Sequence, residues 1–339
     1  MNTAPDTLPA HARIAVFGAG AWGTALAVAF SPVHEVVLWG HNPAHLLALQ
    51  GSRRNERYLP GIALPDTLRI ESDFEQTARG ADLHLIVTPL AALRDTVRRL
   101  HAIQPHTPLL WACKGLEADS GKLPHEIVAE EAGDTAPCGA LTGPSFAAEV
   151  GAGQPTAITL AARDLAFAAH WVQVLHQPRL RMYANDDVIG AELGGGLKNI
   201  IAIAAGVSDG MGFGLNARAA LITRGLAEIA RLAEALGGRR ETLMGLSGMG
   251  DLILSCTGDL SRNRRVGLAL AKGLRLDAIL QELGHVAEGV PTARATVALA
   301  RQHGVEMPIC EAVNALLHSN TLAPRDAVER LLSRDPKQE

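Results

Sequence analysis

Aromatic side chains are scarce in this 339-residue chain: six Phe, four Trp and two Tyr make up 4% of it. A surface that stacks the bases of single-stranded nucleic acid is therefore not expected. Cysteine is sparse as well, and Cys113, Cys138, Cys256 and Cys310 lie far apart with no C-x-x-C pair. Neither a zinc ribbon nor a dense disulfide framework is suggested, and a reducing cytoplasm is the simplest setting. Nor is there an excess of basic charge: 31 Lys and Arg face 35 Asp and Glu, a net of −4. No global field attracts DNA, RNA or an acidic membrane, so any anion must be met by a local site.

What remains is 47% hydrophobic and 19% charged, the balance of an ordered protein, with length for about two domains. One stretch, Ile14 to Val33, is uncharged and Ala-rich and could pass for a signal peptide or membrane helix. Its interior argues otherwise. Arg13-Ile-Ala-Val-Phe17 reads as a buried strand, then come Gly18, Gly20 and Gly23 in G-x-G-x-x-G spacing, then an Ala/Leu helix to about Phe30. In such a turn Gly18 permits the bend, Gly20 lets backbone approach a pyrophosphate, and Gly23 lets the helix pack on the strand with its N-terminus facing the phosphates. The strand Glu35-Val-Val-Leu-Trp39 completes a βαβ unit for a dinucleotide; a merely close-packed turn is the alternative.

The tip of that second strand reads Trp39-Gly40-His41-Asn42 and lacks the carboxylate that would hold the 2′-hydroxyl of NAD. With His41, Arg53 and Arg54 nearby, NADP should be accepted, although Arg53 and Arg54 also read as solvated loop charges. His41 and His45 have helical ligand spacing but no evident third partner, so no metal is expected.

Further strands are predicted at Leu83–Val87, Pro108–Ala112 and Cys138–Thr142, with two more near Thr156–Leu160 and Leu180–Tyr183. Strands alternating with helices predict an α/β, doubly wound parallel sheet over residues 1–190. Beyond that the pattern is helical throughout, at Val188–Val207, Ala217–Leu236, Arg262–Lys272, Thr292–His303 and Ile309–Leu317. Residues 191–339 should form an all-α domain, with the site in the cleft between the two. Gly115 to Lys122 imitates a nucleoside-triphosphate loop, but its glycine spacing is one too long and Leu123 stands where Ser or Thr is needed.

Chemistry concentrates in the helical half. Glu192-Leu-Gly-Gly-Gly-Leu-Lys198-Asn199 carries three glycines that cost about 1 kcal/mol each in a helix interior. A smooth face that admits a nicotinamide ring and a small substrate beside Lys198 explains them; a close helix contact is the alternative. Gly248-Met-Gly-Asp251 precedes Ser261-Arg262-Asn263-Arg264, where Ser261 as N-cap leaves free N–H groups beside a guanidinium and an amide. That suits a phosphate cradle.

Together these motifs resemble the bacterial NAD(P)-dependent glycerol-3-phosphate dehydrogenases along essentially the whole chain. The resemblance is carried by Gly18-Ala-Gly-Ala-Trp-Gly-Thr, Trp111-Ala-Cys-Lys114-Gly, Gly143-Pro-Ser145-Phe-Ala147, Gly194-Gly-Gly-Leu-Lys198-Asn199, Gly248-Met-Gly-Asp251, Ser261-Arg-Asn-Arg264 and Val286-Ala-Glu288-Gly. It implies a Rossmann-type first domain and interconversion of dihydroxyacetone phosphate and sn-glycerol 3-phosphate with NAD(P)H. It further implies supply to glycerophospholipid synthesis in the cytoplasm, no nucleic acid or membrane insertion, and a homodimer. Lys198 would be the proton donor and acceptor. Lys114, Gly143, Ser145, Asp251, Ser261, Arg262 and Asn263 fall where that family contacts substrate. Ala21, Trp22, His41, Lys114, Ala147, Arg262, Val286 and Glu288 fall where it contacts the cofactor. The rival readings are a 3-hydroxyacid or 6-phosphogluconate-type dehydrogenase and a non-catalytic NADP(H)-binding sensor. Asp251 could either orient the Lys198 ammonium or accept a hydrogen bond from a substrate hydroxyl.

Overall fold

A computed structural model describes residues 11–283, 287–318 and 324–327. The chain divides into two compact units, the first made of residues 1–113 and 124–188, the second of residues 114–123 and 189–339. The sequence places 114–123 in the first domain, whereas Leu116 and Leu123 are buried in the core of the second.

In the first unit, strands are β1 (Arg13–Phe17), β2 (Glu35–Trp39), β3 (Arg54–Asn55), β4 (Leu59–Ala63), β5 (Arg69–Glu71), β6 (Leu83–Ile86), β7 (Leu109–Trp111), β8 (Cys138–Thr142), β9 (Thr156–Ala161) and β10 (Leu180–Asn185). Eight of them form one sheet in the order β10-β9-β8-β7-β6-β1-β2-β5, while β3 and β4 pair as a separate hairpin. β1 is central: Ile14 pairs with Val36 on one side and Leu83 on the other, both parallel. Its residues Ile14 to Phe17 are fully buried, as expected for a strand covered on both faces, which explains the unbroken apolar run. The stretch from Ile14 to Val33 is thus strand, turn and helix (Ala21–Phe30).

The sheet departs from the fully parallel expectation at one place, where β9 runs antiparallel to β8. A parallel return needs a crossover, usually a helix, laid over the sheet. Between Thr142 and Thr156 the only helix is the five-residue Ala147–Gly151, and it packs beside helix Ala21–Phe30 and β4 instead.

Among the described residues of the second unit, helices are joined by irregular segments and there is no strand. Helix Val188–Gly210 runs through its core, with Leu193, Leu197, Ile200, Ile201 and Ile203 all at 0% exposure. Among the described residues it alone is long and apolar enough to cross a membrane, yet it lies largely buried inside the unit. Helix Gly214–Ala235 carries Glu228 into the same interior, where its carboxylate accepts the N–H groups of Ile309 at 2.8 Å and Cys310 at 3.2 Å, at the start of helix Pro308–His318.

Burial pushes the Glu228 carboxyl up from 4.5 to about 7, against the pull of those two N–H donors. A carboxyl that holds its proton more tightly folded than unfolded contributes stability that is complete below about 4.5 and lost as pH rises through about 7. Wild-type stability minus that of Glu228→Gln, followed by chemical denaturation, should therefore fall across this interval by up to about 1.4 kcal/mol per pH unit. A flat difference would retire the assignment.

Candidate functional site

In the first unit the glycine turn is built as its spacing suggests. Gly18 sits at φ +128 and donates its N–H to the Trp39 carbonyl at 2.8 Å, and a Cβ there would stand 2.5 Å from the Val87 oxygen. At Gly23 an added Cβ would lie 1.9 Å from the Gly18 carbonyl, so this glycine packs the helix onto the turn itself, not only onto the strand. Gly20 has nothing within 4 Å on that side, and helix Ala21–Phe30 starts there without a side-chain cap. An open backbone face at an uncapped helix N-terminus fits a dinucleotide pyrophosphate.

Around the turn, Ala21 is half-buried, and the half-buried Trp22 and Ala147 pack against Ala25, Leu59 and Val150. Gly143 adopts φ +130, and the Ser145 hydroxyl donates to the Gly143 carbonyl at 3.1 Å. His41 is exposed at the tip of β2. The Arg53 guanidinium donates through Nη2 to the carbonyls of Pro65 and Leu68, the latter at 2.9 Å. Arg54 forms an exposed pair with Glu56 at 3.7 Å, and the exposed Arg57 lies 5.1 Å from the centre of the Tyr58 ring.

The second unit assembles a buried charge cluster. Asp251, at 0% exposure, accepts from Lys114 Nζ at 2.7 Å on one carboxylate oxygen and from Lys198 Nζ on the other. Helix Val188–Gly210 supplies Lys198, and Lys114 follows β7 in the chain. Asp251 opens helix Asp251–Thr257 directly after a π-helical turn, Leu246–Gly250. Wide turns of this kind often mark functional positions.

The glycines before Lys198 make the cluster geometrically feasible. A Cβ on Gly194 would stand 2.3 Å from the Ser247 carbonyl inside the π turn, and one on Gly196 would stand 2.9 Å from the Gly115 nitrogen. The space at these two positions is thus filled by backbone, which draws Asp251 and Lys114 toward Lys198. For Gly194 and Gly196 this close contact replaces the expectation of an open face for the nicotinamide ring.

Burial pulls the Lys198 ammonium down from 10.5 to about 8; Asp251 opposes the shift and Lys114 adds to it. Next to it, the buried Asn199 Oδ1 accepts from Asn263 Nδ2 at 2.9 Å, and Asn263 Oδ1 accepts the Gly289 N–H at 3.0 Å. Asn263 is thereby fixed, with one amide hydrogen left for a ligand. Ser261 caps helix Arg262–Ala271 by accepting the Arg264 N–H at 3.3 Å. Arg264 is committed to Asp209, at 2.7 Å, whereas the exposed Arg262 holds no ion pair among the described residues. Burial raises the Glu288 carboxyl, and Arg262, Lys114 and Lys198 all counter that shift, which places Glu288 within electrostatic reach of the three cations. Val286 lies outside the described residues. No group of three or more His, Cys, Asp or Glu that could hold a metal ion occurs among them.

Residues 13–168 match the family description "NAD-dependent glycerol-3-phosphate dehydrogenase N-terminus", and residues 187–329 match its C-terminal counterpart. A protein of Aromatoleum aromaticum named glycerol-3-phosphate dehydrogenase, NAD(P)+, is 71% identical over 327 residues, covering 96% of this chain and 100% of the relative. The protein of that name in Dechloromonas aromatica is 58% identical, covering 96% and 99%. A crystal structure of glycerol-3-phosphate dehydrogenase from Coxiella burnetii aligns with TM-score 0.92 at 43% identity, covering 96% of this chain and 100% of that one.

The cluster predicts opposite responses from its two flanking charges. Lys114→Met should move the Lys198 titration upward from about 8, and Asp251→Asn should move it further down. The pH dependence of Lys198 methylation, read by NMR, distinguishes the two, and a titration indifferent to both substitutions would dissolve the cluster.

Proposed function

This chain belongs to the NAD-dependent glycerol-3-phosphate dehydrogenase family, and from that premise we propose that it interconverts dihydroxyacetone phosphate and sn-glycerol 3-phosphate with NAD(P)H. The observation that carries the reading is Lys198, buried and held by Asp251, with Arg262, a cation that holds no ion pair among the described residues, in the same unit. A proton donor and an anion anchor together suit a small phosphorylated ketone. A sensor that only binds NADP(H) has no use for either; an arginine can also receive the carboxylate of a hydroxyacid, so the preference for a phosphorylated ketone rests on the family match.

Bound NAD(P)H supplies the hydride that reduces the ketone carbon. As charge grows on the ketone oxygen, the Lys198 ammonium stabilises it and donates the proton from Nζ. In the reverse direction the neutral amine takes the proton from the substrate hydroxyl. Both Asp251 oxygens are engaged by lysines, which favours the orienting role over a contact with the substrate hydroxyl. Arg262 and the free N–H groups at the start of its helix receive the phosphate, and the remaining Asn263 amide hydrogen supplements them. Lys114, Gly143 and Ser145 are assigned to the substrate, and Gly18, Gly20, Ala21, Trp22, Gly23, His41, Ala147, Val286 and Glu288 to the cofactor. The carboxylate-free tip of β2, with His41 exposed beside it, supports acceptance of NADPH.

A cytoplasmic setting, a homodimer and supply of glycerol 3-phosphate for glycerophospholipids complete the proposal on the strength of the family resemblance. Sedimentation tests the dimer.

Following the loss of reduced nicotinamide with dihydroxyacetone phosphate, NADPH and NADH in parallel tests the activity, and no loss with either refutes it. Lys198→Ala should lower kcat by about 10²–10⁴ with little change in substrate affinity. Arg262→Ala should instead raise KM for the phosphorylated ketone by about tenfold or more. Because the reduction needs Lys198 protonated and the oxidation needs it neutral, reductive kcat should fall, and oxidative kcat rise, as pH passes about 8. Profiles that move in the same direction would remove Lys198 from the proton transfer.

A further inference from the structure

The glycine turn leaves one question of orientation. The Ala19–Gly20 peptide can present either its carbonyl or its N–H to the open face beside Gly20, and only the N–H suits a pyrophosphate. A trans peptide holds the two on opposite sides, so fixing the carbonyl fixes the N–H.

The Ala19 carbonyl is held from two directions. Asn55, at 0% exposure, donates Nδ2–H to it at 3.1 Å and its second amide hydrogen to Thr24 Oγ1, in the first turn of helix Ala21–Phe30, at 2.7 Å. His45 Nε2 lies 3.3 Å from the same carbonyl and can bond to it only as a donor. The two donors are themselves braced. Asn55 Oδ1 accepts the Tyr58 N–H at 3.3 Å, and the Tyr58 ring meets the His45 ring edge-on with centres 5.0 Å apart. Gly40, at the end of β2, leaves Ala19 its space, since a Cβ there would stand 2.9 Å from that of Ala19.

We propose that Asn55 and His45 are positioning residues for the dinucleotide: by holding the Ala19 carbonyl they turn the Gly20 N–H toward the pyrophosphate before it arrives. This rests on reading the glycine turn as the cofactor site. Neither residue needs to touch the cofactor. With the clamp absent the peptide can flip and offer a carbonyl oxygen to an anion, and part of the binding energy is spent restoring it.

The experiment measures NADPH affinity by fluorescence, ADP-ribose as a competitor, and steady-state kinetics, for wild type, Asn55→Ala, Asn55→Asp and His45→Phe. Asn55→Ala should weaken NADPH and ADP-ribose together by about tenfold or more, while kcat at saturating cofactor falls much less. ADP-ribose carries the pyrophosphate without the nicotinamide, so a shared loss locates the defect at the turn. Asn55→Asp keeps the shape but removes the donors and adds a negative charge, so its loss should exceed that of Asn55→Ala; the His45→Phe variant, which removes only the second donor, carries the same test if the Asn55 variants fail to fold. His45→Phe keeps an aromatic ring against Tyr58 and should cost about threefold. Unchanged cofactor affinity in the Asn55 variants, or a loss confined to kcat, overturns the clamp. A wild-type protein that binds neither NADPH nor NADH overturns the cofactor reading itself, and that result is visible before any variant is made.

Discussion

Asp251 is the constraint around which the second unit is arranged. A carboxylate with no exposure loses its hydration, an effective penalty of several kcal/mol, and is tolerated only when cations and hydrogen bonds replace the lost water. Here Lys114 and Lys198 replace it, one on each oxygen. The same arrangement lowers the affinity of Lys198 for its proton, because burial and a second ammonium outweigh the carboxylate. A lysine that would ordinarily titrate at 10.5 is thereby brought closer to neutrality, where it can both give and take a proton.

Bringing three chain segments this close requires backbone to touch backbone. Gly194 admits the Ser247 carbonyl, Gly196 admits Gly115, and in the first unit Gly23 sits against the Gly18 carbonyl. Each forfeits helix propensity, of order 1 kcal/mol, for a separation that no side chain allows. The low aromatic content fits this design: small and aliphatic residues fill cores whose elements approach closely, and the largest fully buried rings, Trp111, Phe17 and Phe30, lie in the first unit.

Legibility followed the kind of signal each element carried. β1, β2 and β8 were readable to the residue, because a fully buried strand is a short apolar run bounded by turn residues. The hairpin of β3 and β4 was not, since Pro60 and Gly61 interrupt it and its pattern is not periodic. The reversal of β9 was equally hidden, as strand composition does not record direction. Within the site, Lys198, Asp251 and Arg262 stood out through unusual neighbours, whereas Asn55 lies between two ordinary charges in a short strand and gives no sequence signal. Arg53 could be read either as a cofactor neighbour or as a solvated loop charge, and its sequence neighbours do not announce its bonds to the Pro65 and Leu68 carbonyls.

The sequence by itself determined the strand, turn and helix of the first motif, the change from α/β to all-helical pattern near residue 190, and the families of residue that could bind phosphate or carry a proton. Those properties are local, resting on spacing and periodicity within a few turns of chain. Only the tertiary structure decided that Lys114–Leu123 packs with the helices, that Asp251 joins two lysines, and that Asn55 holds a carbonyl 36 positions before it. These depend on which distant segments come within hydrogen-bonding distance, and partnership at long sequence separation leaves no imprint on the pattern of either segment alone.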